Sequence, residues 1–156
     1  MHPEVSRQLF EEAVAKITGN PDLLVERGWL VLVATYPEFT VAVRHRRTNR
    51  IRVFQLLFDD WNDLPPRLKL LDGETLGELP GAMWPTSGTS HWHPSGWTPA
   101  SEASTSQPFM CMSGIREYHS HQSHIGDSWE NYKTQGGFDL GGILSKVTEV
   151  FQKSDV

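Results

Sequence analysis

The sequence predicts an α+β fold, with helices packed on one face of an antiparallel meander sheet. Three observations predict it: a helical period opens the chain, three β-rich runs separated by short turns follow, and a second helical period returns after residue 139.

From Pro3 to Lys16 the apolar residues Val5, Leu9, Phe10, Ala13, Val14 and Ile17 recur at three-to-four-residue spacing. That spacing puts them on one face of a helix, with Gly19 and Pro21 as the stop. The runs WLVLVATY, FTVAVRHR and RIRVFQLLF are rich in branched and aromatic residues and are joined by a Pro-Glu turn and a Thr-Asn turn. Turns this short make neighbouring strands antiparallel, leaving one face of the meander to receive the first helix. In DDWNDLPPRLKLLDGETLGELPG the pair Pro65-Pro66 blocks helix and central-strand pairing, and RLKLL supplies a short fourth strand. From Pro85 to Pro108 the chain is rich in Ser, Thr, Gly and Pro without a period, a loop of a size that is often functional. In LGGILSKVTEVFQK the residues Ile143, Leu144, Val147, Val150 and Phe151 share a helical face, with Asp139 upstream as the cap. No internal repeat or heptad run is present.

At 156 residues, 38% of them hydrophobic, the chain is expected to form a single domain over residues 1–156 with a core of its own. A formal net charge of -5 argues against a nucleic-acid partner, although RHRRTNRIR gathers local positive charge. One cysteine cannot form an internal disulfide, which fits a reducing compartment, and the cytoplasm is the expected location. The first twenty residues contain no apolar stretch of signal-peptide length, and the longest apolar run, Gly28 to Pro37, is far short of a membrane span. No membrane partner is expected.

The chemistry concentrates in FMCMSGIREYHSHQSHIGDSW, which holds Cys111 and three of the seven histidines. Three readings fit these letters. Cys111 with His119, His121 and His124, or with the HWH pair His91 and His93, offers nitrogen and sulfur donors of the kind zinc takes, though the spacing matches no known structural zinc pattern. Alternatively Cys111 is a nucleophile, with Arg116 and the histidines close in sequence to favour its thiolate, against a plain reading of Phe109, Cys111 and Met112 as core. In the third, His119, His121 or His124 accepts a proton, because imidazole titrates near neutrality.

The order of these elements, together with several strings, resembles the ubiquitin-conjugating enzyme family. FQLLFDDWNDLPPRLKLLD is similar to its passage from third to fourth strand, His93-Pro94-Ser95 resembles its His-Pro-Asn tripeptide, and PFMCMSGI resembles the segment carrying its cysteine. Ser128 and Trp129, followed by the helix from Leu140 to Lys153, look like the downstream tryptophan and helix. The resemblance covers nearly the whole chain and rests on order more than on any one string. It implies no cofactor, and it implies that Cys111 accepts a ubiquitin-like protein as a thioester from an activating enzyme and passes it to an amine on a protein substrate. It further implies that the first helix docks the activating enzyme, with Arg7 and Lys16 on its polar face, and that the source is a bacterial conjugation operon.

Two departures stand out. Ser95 occupies the place of the asparagine that stabilises the oxyanion in the family, and a hydroxyl donates one hydrogen bond from a shorter arm. REYHSHQSH lies as an insertion between cysteine and tryptophan. Its His119 and His121, with Asp127, are expected to take the attacking amine's proton, or else the segment packs as a lid anchored by Tyr118 and Trp129. The alternatives to a carrier are an inactive module of the same fold that binds the modifier or activating enzyme, and a zinc-stabilised domain.

Overall fold

The computed structural model describes residues 1–86, 90–96 and 107–155. Most of the Ser/Thr/Gly/Pro-rich loop expected between Pro85 and Pro108 therefore lies outside the described residues. Helix α1 runs Pro3–Thr18, with the His2 imidazole accepting the Glu4 N–H at its start. Its inward face is Phe10 and Ile17, flanked by Leu9, Ala13 and Val14, and by the buried Ser6 hydroxyl, which accepts from the Tyr36 hydroxyl. Val5, expected on that face, is 48% exposed.

A second, unforeseen helix follows at once: α2, Pro21–Arg27. Pro21 does stop α1, but it also starts α2, since its fixed φ suits the first helical position and the Asn20 side chain caps the Leu23 N–H. Gly28 ends this helix at φ 68°, a left-handed turn that glycine adopts without strain, and the chain enters the sheet.

The sheet is a four-stranded antiparallel meander in the order β1 (Trp29–Thr35), β2 (Glu38–Arg44), β3 (Ile51–Leu57) and β4 (Arg67–Leu71). The α+β class expected from sequence is the fold observed. Register places Val41 against Phe54 and Phe54 against Leu70, so period-2 alternation sends Phe39, Val41, Phe54, Leu56, Leu68 and Leu70 to one buried face. Phe10 of α1 meets Phe58 there, with ring centroids 5.4 Å apart, and Phe58 meets Trp61 at 5.1 Å.

Helix α4 spans Leu140–Lys153 and opens where the sequence predicts, with Asp139 accepting the Gly142 N–H. Ile143, Leu144, Val147 and Phe151 are fully buried against the sheet. The arginine-rich β2–β3 hairpin sits over this helix's C-terminal end. Gln152 ties the two together by donating to the Arg44 carbonyl and accepting from the Arg46 N–H, while Arg47 pairs with Asp155 at 2.6 Å. Part of that local positive charge thus faces the carbonyl end of a helix, where cations are favoured. No helix among the described residues is long and apolar enough to cross a membrane.

Candidate functional site

The thiol is positioned by a short second sheet. β5 (Trp92–His93) pairs antiparallel with β6 (Phe109–Met110), and the pairing continues one step further as the Cys111 N–H donates to the His91 carbonyl at 2.7 Å. Cys111 thus leaves a hydrogen-bonded edge and not a free loop. Met110 and Met112 are buried on either side of it, and the thiol itself is half-buried.

The tripeptide His93-Pro94-Ser95 turns beside this pair, closed by the Gly96 N–H on the His93 carbonyl. A 3-10 turn at Gly81–Met83 packs on it so tightly that a Cβ at Gly81 would lie 2.2 Å from the Pro94 carbonyl oxygen, which only glycine permits. His93 stacks on Phe109, with centroids 4.7 Å apart and planes within 8°. Ser95 is exposed in the turn.

After Cys111 the chain forms α3 (Arg116–Ser120) and 3-10 turns at Gln122–His124 and Trp129–Asn131. These bring His124 to the thiol, with Nε2 3.6 Å from Sγ. The His124 ring is held by Tyr118, stacked at 4.0 Å with planes 20° apart. Tyr118 is fixed in turn by donating its hydroxyl to Asp127 Oδ2 at 2.6 Å, a bond that pushes its proton affinity up to about 12. Tyr132 donates to the same carboxylate at 2.7 and 2.8 Å. The two hydroxyls hold Asp127 below the usual carboxylate range.

His119 and Asp127, expected as proton acceptors, have their atoms committed elsewhere. His119 Nε2 accepts the Gly114 N–H at 3.0 Å and Nδ1 lies 2.8 Å from the Asp127 carbonyl oxygen. A backbone amide can only donate and a carbonyl can only accept, so the ring is the neutral Nδ1–H tautomer with both nitrogens engaged. Burial lowers its proton affinity in the same sense. Gly114 offers its N–H from φ 93°, with Phe138 and Ile143 packed over the position a Cβ would take. His121 Nδ1 accepts from the Ser123 N–H at 3.2 Å, capping the second of these turns, and its ring lies 5.9 Å from Phe109 and 5.8 Å from His124. Burial, then the neighbouring His124 and His93, push His121 down.

Arg116 does not turn to the thiol, as its place in the sequence had suggested. It donates to Asp59 Oδ2 at 2.8 Å, to the Asp59 carbonyl at 2.7 Å and to the Pro65 carbonyl at 2.9 Å, locking α3 to the Asp-Trp-Asn-Asp passage before β4. Burial alone would raise Asp59, but the hydrogen bond and charge of Arg116, with Arg67, hold it low. The Cys111 thiol, without that guanidinium, is pushed up by burial. Trp129 is 5% exposed and donates its indole N–H to the Asn62 carbonyl, so the inserted segment is held at Trp129 and, through Asp127, at Tyr118.

The zinc alternative on Cys111, His119, His121 and His124 finds no support in this geometry. Among the described residues no group of three or more His, Cys, Asp or Glu side chains converges on a point that could hold a metal ion. His119 has no nitrogen to offer, and His124 faces the sulfur directly.

One family model matches a part of the chain that includes the thiol. Residues 100–154 match the model of the Y4jH-like family. A 41-residue stretch is 46% identical to the uncharacterized protein y4jH of Sinorhizobium fredii (strain NBRC 101917 / NGR234), covering 26% of this chain and 20% of that relative. The matched part spans about a fifth of the relative's length.

Proposed function

We propose that this protein carries a ubiquitin-like protein as a thioester on Cys111 and transfers it to an amine on a protein substrate. The observation that carries this reading is a half-buried thiol with an imidazole nitrogen 3.6 Å from its sulfur, directly after a strand paired to a His-Pro-Ser turn. The order of α1, a four-stranded meander, a paired cysteine segment and α4 supports it as well.

Because burial favours the protonated thiol, loading calls for a base. His124 Nε2 takes the thiol proton as Sγ attacks the incoming thioester carbonyl. The tetrahedral intermediate then expels the donor's thiolate, which leaves with a proton, and the new carbon–sulfur bond stands on Cys111. In transfer, a neutral amine attacks that carbonyl, His124 accepts the proton the amine loses, and Sγ leaves as the thiolate, to be reprotonated. His121 and Phe109 wall the same side, and Asp127 acts through Tyr118 by fixing the ring that stacks on His124.

The partial burial of the thiol also favours a second reading, a module of the same fold that binds the modifier or activating enzyme without reacting. One experiment separates the two: the purified protein is incubated with an activating enzyme, ATP and the ubiquitin-like protein encoded nearest to it, then run on a non-reducing gel. A band heavier by one modifier, absent after reduction and in Cys111→Ser, is the expected result. Co-elution of the two proteins without any adduct would transfer the conclusion to the binding module.

A further inference from the structure

The contacts that hold the His124 ring do not involve the sulfur it faces at 3.6 Å. Its face lies on Tyr118, whose hydroxyl is fixed by Asp127. Its backbone is tied on both sides, the His124 N–H donating to the His121 carbonyl and the His124 carbonyl accepting from the Asp127 N–H. The ring therefore keeps its place when Sγ carries an acyl group, and an imidazole nitrogen then stands beside the bond that joins the acyl carbon to sulfur.

That position bears on which nucleophile the loaded thiol can meet. A neutral amine attacks a thioester unaided and loses its proton afterwards, so a carrier serving amines alone gains little from a base fixed in place before the attack. Water is a poor nucleophile with a pKa of about 15.7 and must give up a proton as it attacks. An imidazole held at the sulfur supplies what water lacks.

The backbone adds donors for the charge that develops on the acyl oxygen. The N–H groups of Met112 and Ser113, the two that follow the thiol, donate to no acceptor among the described residues, whereas Gly114 gives its own to His119. The N–H directly after a nucleophile is a common oxyanion donor. Size follows from burial: a half-buried sulfur between the buried Met110 and Met112 is reached by a slim acyl chain.

We infer that Cys111 and His124 form a hydrolytic pair for thioesters of small acyl groups. In acylation Sγ bonds to the acyl carbon as His124 Nε2 takes the thiol proton, the substrate's own carbon–sulfur bond breaks, and its thiolate leaves with that proton. In deacylation a water oxygen bonds to the acyl carbon as Nε2 takes the water's proton, the bond to Sγ breaks, and Sγ recovers the proton from His124. The sum is thioester plus water to carboxylic acid plus thiol, with no change of oxidation state. This activity shares the thiol with the proposed carrier but stands without that reading, since it needs no activating enzyme, ATP or modifier.

The test is to incubate the full chain with the acetyl thioester of N-acetylcysteamine, following release of the free thiol and, by mass spectrometry, acetylation of Cys111. The expected result is many turnovers per protein, with acetyl-Cys111 as an intermediate. Cys111→Ser should abolish turnover, and His124→Gln should slow it by about a hundredfold at an unchanged melting temperature. Tyr118→Leu, which removes the face that holds His124, should slow turnover at least tenfold while iodoacetamide still alkylates Cys111. Acetylation that stops after one equivalent would overturn the proposal, leaving an acyl acceptor that water does not discharge. So would a folded His124→Gln protein that hydrolyses at the wild-type rate, or a wild-type thiol that iodoacetamide alkylates but the thioester does not acetylate. Modifier loading without acetyl turnover would sink this inference and spare the carrier, and acetyl turnover without modifier loading would do the opposite.

Discussion

The meander with α1 and α4 and the thiol-bearing segment from residue 107 to 139 are built by opposite means. The first is redundant: Phe10, Phe39, Phe54, Phe58 and Phe151 are all fully buried in one core, where Phe10 meets Phe58 and Phe54 meets Phe151. The second has one short helix and two 3-10 turns, and its shape depends on single polar contacts, such as Gly114 to His119, Tyr118 to Asp127 and Arg116 to Asp59. Apolar packing is non-directional and tolerates drift, whereas a hydrogen bond fixes an atom's position. A thiol that needs a base at reach requires the second kind of construction. The scaffold is therefore expected to fail by volume and the segment by geometry.

The largest effect belongs to the scaffold. Phe58→Ala removes a ring that packs between Phe10 and Trp61 and is expected to destabilise the protein by about 3–5 kcal/mol. Denaturant melts would read this loss, while the folded fraction should keep its rate of thioester formation; a lost rate in protein still folded would erase the distinction between the two regions. His124→Gln should do the reverse. Losing a positioned base is expected to slow thioester formation and amine transfer by about a hundredfold, with little change in melting temperature. A rate close to wild type in that variant would remove His124 from the mechanism.

Between these extremes lies Arg116→Leu. It strips hydrogen bonds from two backbone carbonyls and a carboxylate, and is expected to cost about 1–3 kcal/mol. Because Arg116 joins the segment to the scaffold, this variant should lower both stability and transfer rate. Hydrogen exchange would sharpen the comparison by showing whether the loosening stays within α3 or spreads to β4.

The two regions also differ in how far they can be read from sequence. Asp139 as a cap, the four strands and the faces of α1 and α4 follow from periods of 3.6 and 2 that survive in a linear string. α2 was overlooked because Pro21 serves as stop and start at once, although Asn20, Pro21 and Gly28 together mark a short helix. In the thiol segment the residue types were legible and their roles were not. His119, His121 and His124 are the same letter; what distinguishes them is that a glycine amide and a carbonyl claim both nitrogens of the first, a serine amide claims Nδ1 of the second, and a tyrosine face presents the third to the sulfur. Arg116 sits five residues from Cys111 in sequence, yet finds its partner Asp59 at a separation of 57. Periodicity carries no information about such contacts.

The smallest expected effect tests whether a single hydrogen-bonded ring stabilises the segment. His119 is neutral in the folded protein, its proton affinity lowered below the ordinary 6.5, first by burial. In the unfolded chain it titrates at about 6.5. Between the folded and unfolded values the unfolded state binds more protons, so stability rises with pH across that window. The contribution is fully present above about 6.5 and is lost as pH falls from there through the folded value. Protonating Nε2 would also break the bond from the Gly114 amide. His119→Gln keeps an acceptor for Gly114 and a donor for the Asp127 carbonyl without titrating, so its melting temperature should fall less than that of wild type between pH 8 and pH 5. His121 is lowered in the same sense and remains in both proteins, so the difference between the two curves isolates His119. Parallel curves would mean that the ring's surroundings admit the proton freely, and that this part of the thiol segment is held by packing, as the scaffold is.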